Sequence, residues 1–260
     1  MENEPESEKP VGILTPISDF LVALQFLTMM PPVLRRSFTR REMGRAIGYY
    51  PLVGLVLGGI LYAAGLLLPR VFPQALSAAL VLALWVILTG ALHVDGFLDS
   101  TDGLLGGFTP ESRLEIMGDE HKGAYAVAGG ILLFLIKFTA IFSLVGTAGV
   151  RELVTAAVLG RWGMALALIA FPYARPQGLG RVIKENAGWQ QAALATIFAL
   201  GSAWLVSEWW GLAGAALALG VMLLCVHFTL RRIPGLTGDV YGMINELIEL
   251  AVLVGLTVKI

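Results

Sequence analysis

Residues 75–103 read Ala75-Leu76-Ser77-Ala78-Ala79-Leu80-Val81-Leu82-Ala83-Leu84-Trp85-Val86-Ile87-Leu88-Thr89-Gly90-Ala91-Leu92-His93-Val94-Asp95-Gly96-Phe97-Leu98-Asp99-Ser100-Thr101-Asp102-Gly103. The run 75–94 reaches the roughly 20 residues that a helix needs to cross a hydrocarbon core about 30 Å thick. Asp95, Asp99 and Asp102 follow at i, i+4 and i+7. If the helix continues past Asp95, all three point from one face at its membrane-exit end. Three like charges on one stripe repel each other, so a positive group belongs among them. Hard oxygen ligands favour Mg²⁺, with Mn²⁺ as the alternative.

The rest of the chain has the same character, with 57% hydrophobic and only 14% charged residues and a mean hydropathy of +0.77, far from a soluble domain. Apolar runs recur at 49–68, 75–94, 124–146, 153–171, 192–206, 211–228 and 240–258. The shortest, 192–206, relies on Trp189, Trp209 and Trp210 as interface anchors. A further run at 20–30 precedes Pro31-Pro32 and reads as an interfacial or re-entrant helix. The expected fold is therefore an all-α polytopic membrane bundle, with seven long transmembrane helices and one short N-terminal helix. No internal repeat or linker divides it, so residues 1–16 are expected as a polar tail and 17–260 as one membrane-embedded catalytic domain. The tail lacks the basic start of a signal peptide. Cys225 is the single cysteine, which excludes an intrachain disulfide.

Charge placement orients the bundle. Arg35, Arg36, Arg40, Arg41 and Arg45 share one loop, Arg113 and Lys122 the Asp-rich loop, Arg175, Arg181 and Lys184 a third, and Arg231 and Arg232 a fourth. The alternate connections offer Arg70, Arg151 and Lys259. The positive-inside rule sends the four richer loops to the cytoplasm.

The long connection 96–122 is rich in both acids and glycines, a composition that can wrap a metal and bring backbone N–H groups to a phosphate. Ordinary surface acids are the alternative there, and Glu111 fits it, as a favourable charge near a helix start capped by Thr109. Lys137, Arg161, Glu246 and Glu249 lie inside apolar runs, where an ionisable group is costly without a partner or polar cavity. Internal pairing, such as Lys137 or Arg161 with Glu246, is one explanation, and a functional site the other. Asp239, Gly242, Glu246 and Glu249 fall at offsets 0, 3, 7 and 10, one inward stripe of the last helix. Two carboxylate sets, two intramembrane cations and several arginines describe a site for phosphate or pyrophosphate held through divalent metal. His93 lies two residues before Asp95 on a different helix face.

These stretches resemble the cobalamin synthase (adenosylcobinamide-GDP ribazoletransferase) family over nearly the full chain. The Asp-rich block 93–103 is the most specific. Beside it stand Gln25-Phe26-Leu27-Thr28, Tyr50-Pro51-Leu52-Val53-Gly54, Arg113-Leu114-Glu115-Ile116-Met117-Gly118-Asp119, Lys122-Gly123-Ala124-Tyr125, Lys137, Gly160-Arg161-Trp162, Tyr173-Ala174-Arg175 and Thr237-Gly238-Asp239-Val240-Tyr241-Gly242. Glu120-His121-Lys122 departs from the pattern, which has Ser or Pro with Arg and an apolar residue there.

The resemblance implies that adenosylcobinamide-GDP reacts with α-ribazole or its 5′-phosphate, giving adenosylcobalamin or its 5′-phosphate and GMP. On that reading Mg²⁺ sits on Asp95, Asp99, Asp102 and Asp119, and Asp102 or Asp239 is the general base. Arg161, Lys137, Arg175, Arg231 and Arg232 clamp the anion, with Glu246 and Glu249 on the substrate side. The expected location is a prokaryotic cytoplasmic (inner) membrane, with lipid around the bundle and no nucleic acid partner, and a homo-oligomer is compatible with it. A CDP-alcohol phosphatidyltransferase also carries an Asp cluster at a helix end, but with an Ala-Arg step that this chain lacks. An ion-coupled transporter would line a pathway with the intramembrane charges, and often shows two related halves, which are not found here.

Overall fold

The computed structural model describes residues 15–258. The tail expected over 1–16 thus lies outside the described residues except for Thr15 and Pro16, where α1 (Thr15–Leu27) begins, and Lys259 lies outside them too. The chain continues through α2 (Arg40–Ala46), α3 (Tyr50–Leu67), α4 (Gln74–Leu88), α5 (Leu92–Gly106), α6 (Pro110–Ile116), α7 (Ala124–Leu144), α8 (Glu152–Ala170), α9 (Leu179–Glu185), α10 (Trp189–Leu230) and α11 (Gly238–Leu256). Thr109 caps α6 in a reciprocal capping box with Ser112, so the sequence signal for that helix start is met.

Four helical segments are long and apolar enough to cross a membrane, Arg40–Arg70, Ala124–Leu144, Ala148–Ala170 and Trp189–Leu230, and a fifth is added if α4 and α5 form one broken span. The apolar window of the segment containing α8 is 83% buried, against 33–39% in the other three, so α8 is the central helix and the others present a face to lipid. Its closest neighbour is α3, where Gly54 and Gly58 leave no room for a Cβ against the backbone at Ala157, Val158 and Val154. Gly59, on the opposite face, meets nothing within 4 Å and has no such role.

Two expectations change. The helix over 75–94 does not run on into the aspartates. It stops at Leu88, and α5 leaves at 88° to α4. Gly90 (φ 59°) and Ala91 (φ 57°) take left-handed conformations that end an α-helix. The freed Leu88 carbonyl accepts from the Met29 N–H at 2.8 Å, so the chain leaving α1 satisfies the break. The three aspartates therefore share α5, a helix of its own.

The runs 192–206 and 211–228, expected as separate spans, both lie in α10, where Glu208 is non-helical (φ 50°, ψ −130°). A Cβ on Gly211 would collide with the Ala203 carbonyl, although the two residues would be about 12 Å apart along a straight helix. The chain thus doubles back at Glu208, and α10 is a hairpin of two limbs. Buried Ser207 and Glu152 clasp the turn at 2.5 Å, and Thr155 meets Ser207 at 2.7 Å.

The four arginine- and lysine-rich loops gather at one end. Gly44 of α2 abuts the Asn186 backbone after α9, Arg113 of α6 donates to the Arg232 carbonyl at 3.1 Å, and residues 173 and 236 form a parallel bridge. At the other end Gln74 donates to the Phe142 and Val145 carbonyls at 2.8 and 3.1 Å.

Candidate active site

The site begins with a helix crossing. Gly96 of α5 faces Gly242 of α11, and a Cβ on Gly96 would stand 2.8 Å from the Asp239 carbonyl oxygen and 3.2 Å from the Gly242 Cα. Only two glycines at the crossing let the backbones come so close. The consequence is chemical, because the acidic stripe of α5 is laid beside Asp239 at the start of α11.

Asp95 and Asp99 face the loop between α6 and α7. Lys122 sits between them, with Nζ 3.1 Å from Asp95 Oδ1 and a shorter contact to Asp99 Oδ1. Desolvation works against the Lys122 ammonium, and its hydrogen bonds to Asp99 and Asp95 outweigh this, so its pKa lies above the ordinary lysine value. Asp102 Oδ2 accepts from the Gly123 N–H at 2.8 Å. Asp95, Asp99, Asp119, Glu120 and Lys122, with Met117 and Gly118, line an open cavity of about 370 Å³. Asp119 is exposed and accepts from the His121 N–H at 2.9 Å, with the His121 ring Nδ1 at 2.8 Å, which holds its carboxyl below the ordinary aspartate range.

Arg175 donates to Asp239 Oδ2 at 3.0 Å, and the Thr237 hydroxyl, from the N-cap position of α11, donates to the same oxygen at 3.1 Å. The bridge at Tyr173 and Leu236 sets this arrangement, through Ala174 N–H to Leu236 O and Leu236 N–H to Pro172 O, both 2.8 Å. The remaining predicted arginines lie elsewhere. Arg232 packs on the Phe228 ring, 3.5 Å from its centroid, and donates to the Phe228 carbonyl, while Arg231 caps the end of α10 and is exposed.

The intramembrane charges form their own group. Lys137 Nζ contacts Glu246 at 2.8 Å and also Glu249, and Arg161 contacts Glu249. The Asn245 amide donates to Glu249 at 3.0 Å, and Lys137 lies 4.3 Å from the Trp85 ring centroid. These side chains are buried, and two cations answer two carboxylates among α7, α8 and α11. None of the four lines the 370 Å³ cavity. His93, also buried, leaves both ring nitrogens without a protein partner, as Arg161 leaves Nε and Nη2.

The site's chemistry suits a hard divalent cation, since Asp95, Asp99 and Asp119 present oxygens to one cavity and Asp102 lies on the same helix. As these side chains stand, no three His, Cys, Asp or Glu donors among the described residues are close enough together to hold an ion. The Lys122 ammonium takes the position between two of them. The sequence assigns no catalytic or binding role to Lys122, although it stands in the Asp-rich loop and opens the family-like stretch 122–125.

The family model for cobalamin-5-phosphate synthase matches residues 19–257. The adenosylcobinamide-GDP ribazoletransferase of Stutzerimonas stutzeri (strain A1501) is 42% identical over 241 residues, covering 92% of this chain and 98% of the relative. Those of Pseudomonas putida (strain W619) and Desulfitobacterium hafniense (strain Y51) are 43% and 40% identical, over 91% and 90% of this chain and 97% and 94% of their own lengths. No solved structure matches. With its match running from α1 into α11, the chain belongs to the cobalamin-5-phosphate synthase family.

Proposed function

We propose that this protein is a membrane transferase that joins adenosylcobinamide-GDP to α-ribazole or its 5′-phosphate, giving adenosylcobalamin or its 5′-phosphate and releasing GMP. The observation that carries the reading is the Gly96–Gly242 crossing, which sets the α5 carboxylates beside the Arg175–Asp239 pair in a chain of this family. The ribazole hydroxyl attacks the phosphorus on the cobinamide side of the diphosphate, the P–O bond to GMP breaks, and the hydroxyl proton passes to a carboxylate. Asp239 is our choice of base. It is only partly exposed, and Arg175 and Thr237 hold its Oδ2 in place. Arg175 binds a phosphoryl oxygen once the anion enters.

Mg²⁺, with Mn²⁺ as a substitute, would be held by Asp95 and Asp99, with Asp102 and Asp119 as further oxygen donors. When bound, it neutralises the diphosphate and the departing GMP. The four buried charges Lys137, Arg161, Glu246 and Glu249 act as positioning residues, fixing α11 against α7 and α8 so that Asp239 meets α5. Arg231 and Arg232 stand at the same end and attract the anion at longer range.

We count seven crossings: α3, the bent pair α4 and α5, α7, α8, the two limbs of α10, and α11. The gathering of the four basic loops at one end supports a cytoplasmic site in a prokaryotic inner membrane, where GDP derivatives are found. The test is the purified protein in lipid with adenosylcobinamide-GDP, α-ribazole 5′-phosphate and Mg²⁺, with and without EDTA. Metal-dependent GMP and corrinoid product are expected. Folded protein that yields neither would remove the reading.

A further inference from the structure

The cavity holds four carboxylates, Asp95, Asp99, Asp119 and Glu120, against one ammonium, Lys122. A diphosphate meeting that field alone is repelled, and a divalent ion meeting Asp95 and Asp99 finds the space between them filled by Lys122. Two features make this ammonium exchangeable. Its side chain is 29% exposed, whereas Asp99 is 10% exposed, and the loop residue after it, Gly123, is anchored separately through its N–H to Asp102. The carboxylates and the backbone can therefore stay in place while the lysine side chain swings into the cavity.

We infer that Lys122 is the resident cation that a divalent ion displaces from Asp95 and Asp99, and that its freed ammonium then binds the diphosphate of the incoming nucleotide. The inference rests on the metal-dependent transfer reading for the identity of the ion and the anion. It makes Lys122 a positioning residue in the metal-free protein and a ligand-binding residue in the loaded one. The two ligands then help each other: the ion releases the group that grips the anion, and the anion offers that group a new partner.

Purified full-length protein in lipid nanodiscs is titrated with Mn²⁺ alone, read by electron paramagnetic resonance. It is then titrated with GDP at saturating Mg²⁺, read by calorimetry, with Lys122→Met, Lys122→Arg and Asp99→Asn alongside. Lys122→Met should bind Mn²⁺ about tenfold more tightly than the native protein and GDP about tenfold more weakly, the size of one charge-assisted hydrogen bond in each direction. Lys122→Arg, which keeps the charge, should stay within about threefold of the native protein in both. Opposite signs are the signature, because a lysine that only ties the loop would on removal weaken both ligands. Equal Mn²⁺ affinity in the native and Met proteins, or weakening of both ligands, overturns the role of Lys122 and leaves the metal reading intact, since Asp99→Asn still lowers Mn²⁺ binding. Absence of Mn²⁺ binding in every protein overturns both together.

Discussion

Gly96 and Gly242 touch backbone to backbone, and through that contact the carboxylates of α5 stand beside Asp239 of α11. A Cβ on Gly96 would press on the Asp239 carbonyl oxygen at 2.8 Å, and one on Gly242 on the His93 carbonyl oxygen at 2.9 Å. Gly96→Ala and Gly242→Ala should each push the helices apart, costing about 1–3 kcal/mol of stability. Transfer should fall by more than about tenfold, because reacting groups lose rate steeply on sub-ångström misplacement. Gly59→Ala, where nothing lies within 4 Å, is the control expected to leave both unchanged. Turnover and thermal unfolding in detergent check all three.

Buried charges behave differently when one partner is removed than when both are. Lys137→Met leaves Glu246 and Glu249 with one cation, Arg161, to answer them, and should destabilise the protein by about 3–5 kcal/mol. Lys137→Met combined with Glu246→Gln removes one charge of each sign and should recover much of that loss. A double variant no more stable than Lys137→Met in thermal unfolding would contradict the paired network.

Asp99→Asn should abolish GMP release while the protein stays folded, since the swap keeps the side chain's size and Asp99 opens onto a cavity that solvent reaches. Arg70→Gln, next to Pro69, which lies near Gly146 at the opposite end of the bundle, should leave turnover within about twofold, as surface changes away from a site usually do. Single-turnover assays at matched protein amounts distinguish the two.

Glu208 carries the backbone strain of the α10 hairpin at φ 50°. Glycine takes that conformation without steric cost, so Glu208→Gly should be neutral or stabilising by about 1 kcal/mol. Glu208→Pro, with φ locked near −65°, should prevent the reversal and lower the yield of folded protein. Melting temperatures report the first, and recovery of monodisperse protein the second.

Much of this is legible in the sequence. Hydropathy marks apolar helices, so the all-helical membrane class and most helix positions were readable, although the run 75–94 breaks at Leu88 and the runs 192–206 and 211–228 share α10, and the capping chemistry of Thr109 marked α6. The period of 3.6 residues placed Asp95, Asp99 and Asp102 on one stripe and Asp239, Gly242, Glu246 and Glu249 on another, and both stripes do turn toward protein partners. Local pattern carries no direction, however. The reversal at Glu208 and the 88° turn before α5 each hinge on one or two residues with positive φ, and spacing along the chain does not say which way the chain turns there.

The sequence by itself determined the membrane-embedded helical class, the two acidic stripes and the segregation of basic loops, because each follows from spacing and polarity along one chain. Tertiary structure alone decided which charges meet. Lys137 and Arg161 are answered by Glu246 and Glu249 across three helices, and Arg175 by Asp239. The acidic pair Asp95 and Asp99 is answered by Lys122, a residue of the 122–125 stretch to which the sequence attached no partner. The physical reason is that an ion pair needs two groups within about 4 Å, and residues far apart in sequence reach that distance only once the helices have packed.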